Sequence, residues 1–307
     1  MISVIVPVYN ESANLETLYS GLVKVLEKLS QPYEILFIND GSKDQSQEII
    51  TRLSQENQSV KYIEFSRNFG HQIALSAGID FAKGDKVVFI DADGQDPPEA
   101  IEDLYLKSLE GHNVVYAKRR SRDGETWFKK WTAKRFYRLL NKLTNIDMPV
   151  DTGDFRIIDK TVLDQLRSMP ERHKFLRGQI AWIGLSQSYI EFDRKERGAG
   201  KSGYSFSKML KLALDGITSF SNIPLKIATF SGFIFAIIGF FLIAYTLYSR
   251  FILDEYQPGW ASQMITIVFI GGIQLIGIGI IGEYISRMNE NIQDRPLYIV
   301  RETNIKK

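Results

Sequence analysis

Asp91 and Asp93 stand one residue apart at the end of VVFIDAD, and Gln95 follows two residues later. Two carboxylates this close repel unless a cation sits between them, and a hard divalent ion with oxygen ligands, Mg2+ or Mn2+, matches that set best. Gln95 adds a neutral oxygen within reach. An isolated D-x-D is more often a surface turn. Here the β-branched and aromatic run Val87 to Ile90 predicts a buried strand, so the pair falls at a strand's carboxyl end, where open α/β sheets bind ligands. Asp96 followed by Pro97 and Pro98 predicts the cap and first turn of a helix.

The elements needed to hold such a site recur along the first 120 residues. ISVIVPV, YEILFIND, VKYIEF, KVVFIDAD and NVVYAKR read as strands. Leu15 to Leu29, Gln45 to Glu56, Gln72 to Ala82 and Glu99 to Glu110 read as amphipathic helices between them. This alternation predicts βαβ units and a mostly parallel, doubly wound sheet. Polar clusters then end three strands: Pro7-Val8-Tyr9-Asn10-Glu11, Asn39-Asp40-Gly41-Ser42 and Asp91-Ala92-Asp93. Each alone reads as a turn, but three on one sheet edge make a ligand site. Carboxylates of the first two can hold the donors of a base and ribose, and the third a metal-bound diphosphate.

The 307 residues carry a net charge of +2, which gives no case for a nucleic-acid partner. The absence of cysteine excludes disulfides and thiolate metal sites. Ile227–Ser249 and Ala261–Gly282 contain no charged side chain, and both exceed the ~20 residues of a bilayer crossing. Lys208, Lys211 and Lys226 precede the first span, and Arg287, Arg295, Arg301, Lys306 and Lys307 follow the second. Between the spans Arg250 is offset by Asp254 and Glu255, so the positive-inside bias sets both termini in the cytoplasm of a cell membrane. No basic leader precedes ISVIVPV, so the head is expected to stay cytoplasmic. Phe206, Met209, Leu210, Ala213, Leu214, Ile217 and Phe220 share one helical face, which predicts an interfacial helix. Ala228, Gly232, Ala236 and Gly239 form a small-residue stripe suited to packing within the hairpin or in a homo-oligomer.

PVYNE, NDGS, SRNFGHQIAL, DADGQDPPE and DTGDFRIID, in this order, resemble family 2 glycosyltransferases. LALDGITSFS, the paired spans, IGEYISR and RPLYIV extend the resemblance to the polyprenyl-phosphate type, which includes dolichol-phosphate mannose synthases and bactoprenol glucosyltransferases. Gly94 departs from the bulky aliphatic residue usual in that family, which bears on the rigidity of the metal loop. Gly203 stands where many relatives have lysine, leaving Lys201 to supply that charge. The resemblance implies a nucleotide-sugar-binding, GT-A-like domain over 1–204, an interfacial helix over 205–223, transmembrane helices over 224–249 and 261–283, an external loop over 250–260 and a cytoplasmic tail over 284–307. It implies nucleotide-sugar contacts at Pro7, Tyr9, Asn10, Glu11, Asp40, Asn68, Asp91, Ala92 and Asp93, and catalytic roles for Asp91, Asp93 and Asp154.

The implied reaction moves a sugar, with UDP-glucose the first choice, onto a polyprenyl phosphate with inversion. That acceptor is already largely an oxyanion near neutral pH, because the second pKa of a phosphate monoester is about 6. Asp154 therefore either positions the acceptor or acts as its base. Arg119, Arg122, Lys134 and Arg135 are candidates for gripping the acceptor phosphate, with Arg197, Lys201 and Ser202 in a basic loop that closes over phosphate. Gly198-x-Gly200-x-x-Gly203 imitates a dinucleotide fingerprint but does not follow the first strand of a βαβ unit, and Lys195 occupies the first glycine of a P-loop. The alternatives are a mannose synthase using GDP-mannose, a processive synthase and a non-catalytic scaffold or flippase subunit. Gln179-Ile-Ala-Trp182 lacks the arginine of the Q-x-x-R-W element that a processive synthase normally carries.

Overall fold

The computed structural model describes residues 1–120, 152–193, 221–252 and 259–305. The chain forms two compact units, Met1–Leu212 with Arg295–Lys307, and Ala213–Asp294.

The first unit is an α/β domain on one sheet. Strands β1 (Ile2–Val8), β2 (Tyr33–Asn39), β3 (Val60–Phe65) and β4 (Lys86–Phe89) run parallel, in the order β4-β1-β2-β3. Every residue of β1 is buried, as a strand covered on both faces requires. Helices α1 (Ser12–Lys28), α2 (Ser46–Glu56), α3 (His71–Phe81) and α4 (Ala100–Ser108) alternate with these strands. Helix α1 buries Leu15, Leu18, Leu22, Val25 and Leu26, a face at three- and four-residue spacing. Helix α3 lies so close to β1 that a Cβ at Gly78 would fall 2.3 Å from Cγ2 of Ile5, so only glycine fits there. Asp96, Pro97 and Pro98 do not open α4 as the sequence predicts. They form a turn ahead of it, in which the Ala100 and Ile101 amides donate to the carbonyls of Pro97 and Pro98.

Beyond β4 the sheet turns mixed. Strand β5 (Val114–Arg119) does not join β4. Strand β6 (Thr152–Asp159) inserts between them, antiparallel to both, and β7 (Gln187–Phe192) pairs parallel with β5 at the edge. Helices α5 (Lys160–Ser168) and α6 (Leu176–Ile183) join β6 to β7, and α5 is capped by Asp159, whose carboxylate accepts from the Val162 amide at 3.0 Å. At the opposite edge β8 (Val300–Thr303) pairs antiparallel with β3. The residues expected as a tail thus include a strand of this sheet.

The second unit contains α7 (Ile223–Phe251) and α8 (Trp260–Ile292), packed on each other with Phe235 edge-on to Phe269 at 5.7 Å. Ile223–Leu242 and Phe269–Ile292 are long and apolar enough to cross a membrane. Their exposed surface is rich in large apolar side chains, among them Phe230, Phe233, Phe240, Leu275 and Ile276, as a lipid-facing hairpin requires. Among the described residues, a Cβ at Gly232 or Gly239 of the small-residue stripe would meet nothing within 4 Å. The predicted interfacial helix lies outside the described residues.

Candidate active site

Because β1, β2 and β4 are parallel, their carboxyl ends share one edge of the sheet. Strand β6 is antiparallel to β4 and brings its amino end, Gly153 and Asp154, to that same edge. The amino end of α3 places His71 there as well, 3.6 Å from Oδ1 of Asp91.

The loops after β1 and β2 are fastened to each other. The Asn10 amide donates to Ser42 Oγ at 3.0 Å, and Oδ1 of Asn10 accepts from the Lys43 amide at 2.7 Å. The Glu11 and Ser12 amides donate to Ser46 Oγ and Asp44 Oδ2. Asn10 holds a φ of 56°, which asparagine tolerates better than most residues. Tyr9 is exposed beside Pro7 and these loops, available to a ligand. Asp40 is buried, and its carboxylate accepts from the amides of Phe69 at 2.6 Å and Gly70 at 3.0 Å. It therefore orders the β3–α3 loop that carries Asn68. Burial pushes its carboxyl up, and the two amides with the charges of His71 and Arg67 reverse only part of that.

In the D-x-D turn Gly94 has a φ of 72°, a conformation that a side chain would strain. Gly94 adopts it without that strain, and in the same turn Oδ1 of Asp93 accepts from the Gln95 amide at 3.0 Å. Oδ1 of Asp91 is buried and makes no hydrogen bond among the described residues. Burial pushes the Asp91 carboxyl up; the charge of His71 lowers it, while Asp154 and Asp93 raise it further. A buried carboxylate oxygen with a second carboxylate, Asp93, close enough to raise it further suits a hard divalent ion. Among the described residues no group of three or more His, Cys, Asp or Glu side chains is placed to hold a metal ion. A cation shared with a diphosphate needs only one or two protein carboxylates.

Asp154 is the hub of a charged network. Its Oδ1 accepts from Nη2 of Arg156 and Nε of Arg177, both at 2.8 Å, and its Oδ2 lies 3.1 Å from Nε2 of His71. Arg156 is 2% exposed and also donates to the carbonyls of Gly153 and Asp154. Burial alone would raise the Asp154 carboxyl, but Arg177, His71 and Arg156 hold it well below the usual carboxylate range. For His71, burial opposes the charge, yet the bond to Asp154 and the charge of Asp91 push it up to about 9. His71 so joins the D-x-D turn to β6.

The sequence reading missed His71, Arg156 and Arg177. Arg156 had a local signal: two residues after Asp154 on a strand, it lies on the same face. Arg177 had none, because it reaches the site from α6, 23 residues away along the chain. Of the expected acceptor-phosphate residues, Arg119 ends β5, paired with Phe192 of β7. Arg122, Lys134, Arg135, Arg197, Lys201 and Ser202 lie outside the described residues.

The profile of glycosyl transferase family 2 matches residues 3–167, more than half of the chain. The chain belongs to glycosyl transferase family 2. This family 2 glycosyltransferase also matches the GtrB C-terminal hairpin over residues 223–288, which covers most of α7 and α8. It is 48% identical over 301 residues to the uncharacterized glycosyltransferase YkcC of Bacillus subtilis, covering 98% of this chain and 93% of that protein. It is 40% identical over 300 residues to a prophage bactoprenol glucosyl transferase homolog of Escherichia coli, with 98% of each chain covered. The bactoprenol glucosyl transferase of Shigella phage SfII is 39% identical over 303 residues, covering 99% of this chain and 98% of the phage protein. In fold, the glycosyltransferase is similar to glucosyl-3-phosphoglycerate synthase from Mycobacterium tuberculosis in complex with Mn2+, UDP and phosphoglyceric acid. The TM-score is 0.50 at 18% identity, covering 71% of this chain and 76% of the other.

Proposed function

We propose that this enzyme transfers glucose from UDP-glucose to a polyprenyl phosphate, with inversion, at the cytoplasmic face of a cell membrane. One observation carries the reading: the chain matches proteins named bactoprenol glucosyl transferase from end to end, catalytic domain and hairpin together. The two membrane-length helices suit an acceptor that stays in a bilayer.

In this reading Asp93, Gln95 and Asp91 would hold Mg2+ or Mn2+, which would supply positive charge for a diphosphate leaving group. Pro7, Tyr9, Asn10, Glu11 and Asn68 surround the nucleoside, with Asp40 fixing the β3–α3 loop from below. A phosphate oxygen of the acceptor forms a bond to the anomeric carbon as the bond from that carbon to UDP breaks. The nucleophile is already an oxyanion, so no proton has to leave it. Asp154 engages Arg156, Arg177 and His71 and positions them, and His71 in turn faces Asp91 of the D-x-D turn at 3.6 Å. Arg119, Arg122, Lys134, Arg135, Arg197, Lys201 and Ser202 remain the candidates to grip the acceptor phosphate.

The test is direct. Membranes containing the protein are incubated with undecaprenyl phosphate and labelled UDP-glucose, GDP-mannose or a UDP-linked amino sugar, and the lipid is extracted. Label from UDP-glucose alone, lost in chelator, is expected. Label from GDP-mannose instead would replace the donor, and no lipid label from any donor would refute the acceptor.

A further inference from the structure

Residues 298–304 do more than cover the open edge of β3. A short antiparallel strand would suffice for that, through backbone bonds alone. Here the segment also takes hold of the loop beyond β3. The Ser66 amide donates to the Ile299 carbonyl at 2.9 Å, and Nη2 of Arg301 donates to the Ser66 carbonyl at 3.0 Å. Both backbone groups of Ser66 are thus fixed by the C-terminal segment at the point where the loop leaves β3. The other guanidinium arm of Arg301 meets Oε1 of Glu64 at 3.0 Å. Tyr298 stacks on Phe65 at 4.9 Å, and Phe65 meets Phe69 edge-on at 5.6 Å. Phe69 is the residue whose amide holds Asp40. The hydroxyl of Tyr298 donates to Oδ2 of Asp80 near the far end of α3, at 2.9 Å. Asn304 brackets β3 from its start, accepting from the Tyr62 amide and donating to the Val60 carbonyl.

Arg301 is 60% exposed, so its ion pair with Glu64 contributes little to stability. Its geometric effect is larger, because one side chain ties Glu64 near the end of β3 to Ser66, the first residue of the loop. We propose that Tyr298 and Arg301 are positioning residues for the nucleotide: they hold Ser66–Gly70 in the shape that presents Asn68 and keeps Asp40 in place. This rests on the reading of that loop as part of the nucleotide-sugar site. It makes donor affinity depend on the C-terminal segment, which in sequence lies just after α8.

The experiment uses full-length protein carrying Arg301→Ala or Tyr298→Leu, with Tyr298→Phe keeping the stacked ring and losing only the bond to Asp80. UDP and UDP-glucose binding with Mn2+ is measured by calorimetry, alongside kcat, acceptor KM, thermal midpoint and amide exchange over residues 66–70. Arg301→Ala should weaken donor binding roughly three- to tenfold, the scale of one hydrogen bond. Exchange over 66–70 should accelerate, while kcat, acceptor KM and the thermal midpoint stay near wild type. Arg301→Lys should fall between, and Tyr298→Phe should bind donor better than Tyr298→Leu. Unchanged exchange over 66–70, or faster exchange with unaltered donor affinity, would overturn the proposal. So would a fall in kcat and thermal midpoint with donor affinity unchanged, which marks general destabilisation. Wild-type protein that binds neither UDP nor UDP-glucose would strike the donor reading instead, and unchanged exchange would still refute the strap.

Discussion

Asp93 and Asp154 are both acidic and lie at one sheet edge, yet their surroundings assign them different work. Asp93 sits in a turn closed by the Gln95 amide, next to Asp91 with its unbonded oxygen. Asp93→Ala should reduce transfer by at least about 100-fold, because loss of several kcal/mol of counter-charge costs tenfold per ~1.4 kcal/mol. Its thermal midpoint should barely move; near-normal turnover, or full activity in excess chelator, would refute a metal role. Asp154 is enclosed by Arg156, Arg177 and His71. Asp154→Asn strips the buried Arg156 of its counter-ion and should cost about 3–5 kcal/mol of stability by chemical denaturation. Its carboxyl is depressed, so its stabilising charge is present above the ordinary Asp range and is lost only as pH falls through the lowered value. The wild-type advantage over Asp154→Asn should therefore persist across neutral pH and shrink only in strong acid. An acidic limb of the rate profile that vanishes in Asp154→Asn would instead show a true base.

At the level of elements, the loops at the sheet edge are held by close backbone contact rather than by bulk. Gly41 has a φ of 67°, and a Cβ there would fall 2.5 Å from the carbonyl carbon of Arg67. Gly70 also has a positive φ, 105°, but a Cβ there would meet no described residue within 4 Å. Gly41→Ala combines backbone strain with a clash, so it should destabilise by more than ~1 kcal/mol and weaken donor binding by forcing the β2 loop from the β3 loop. Gly70→Ala should do less on both counts. Equal effects in denaturation and nucleotide titration would show that the approach of Gly41 to Arg67 has no bearing on the site. Helix α3 follows the same logic, since Gly78 lets it settle against Ile5, and its amino end delivers His71.

For the whole molecule, the absence of cysteine makes the expected topology open to clean measurement. Gln55→Cys on α2 and Gln257→Cys between the spans each introduce a single thiol. An impermeant maleimide should label Gln257→Cys in intact cells and Gln55→Cys only after permeabilisation. The reverse pattern, or labelling of both from outside, would overturn the cytoplasmic placement of the catalytic domain. The same variants should retain lipid-linked transfer, since neither position belongs to the site.

The sequence determined what short-range physics controls. Apolar runs with turn residues gave β1 to β4 and their helices, and charge-free stretches longer than a bilayer crossing gave the hairpin. The three polar clusters at strand ends were legible because parallel strands put their carboxyl ends on one edge. Only the tertiary structure decided what depends on pairing between distant segments. Strand β6 enters between β4 and β5, and that insertion brings Asp154 and Arg156 to the edge. Arg177 meets Asp154 only because α6 folds back toward β6, and β8 joins β3 more than 230 residues away in sequence. A strand's partner is set by which exposed edge and which apolar face it can complete, and no window of the sequence contains both halves of that choice.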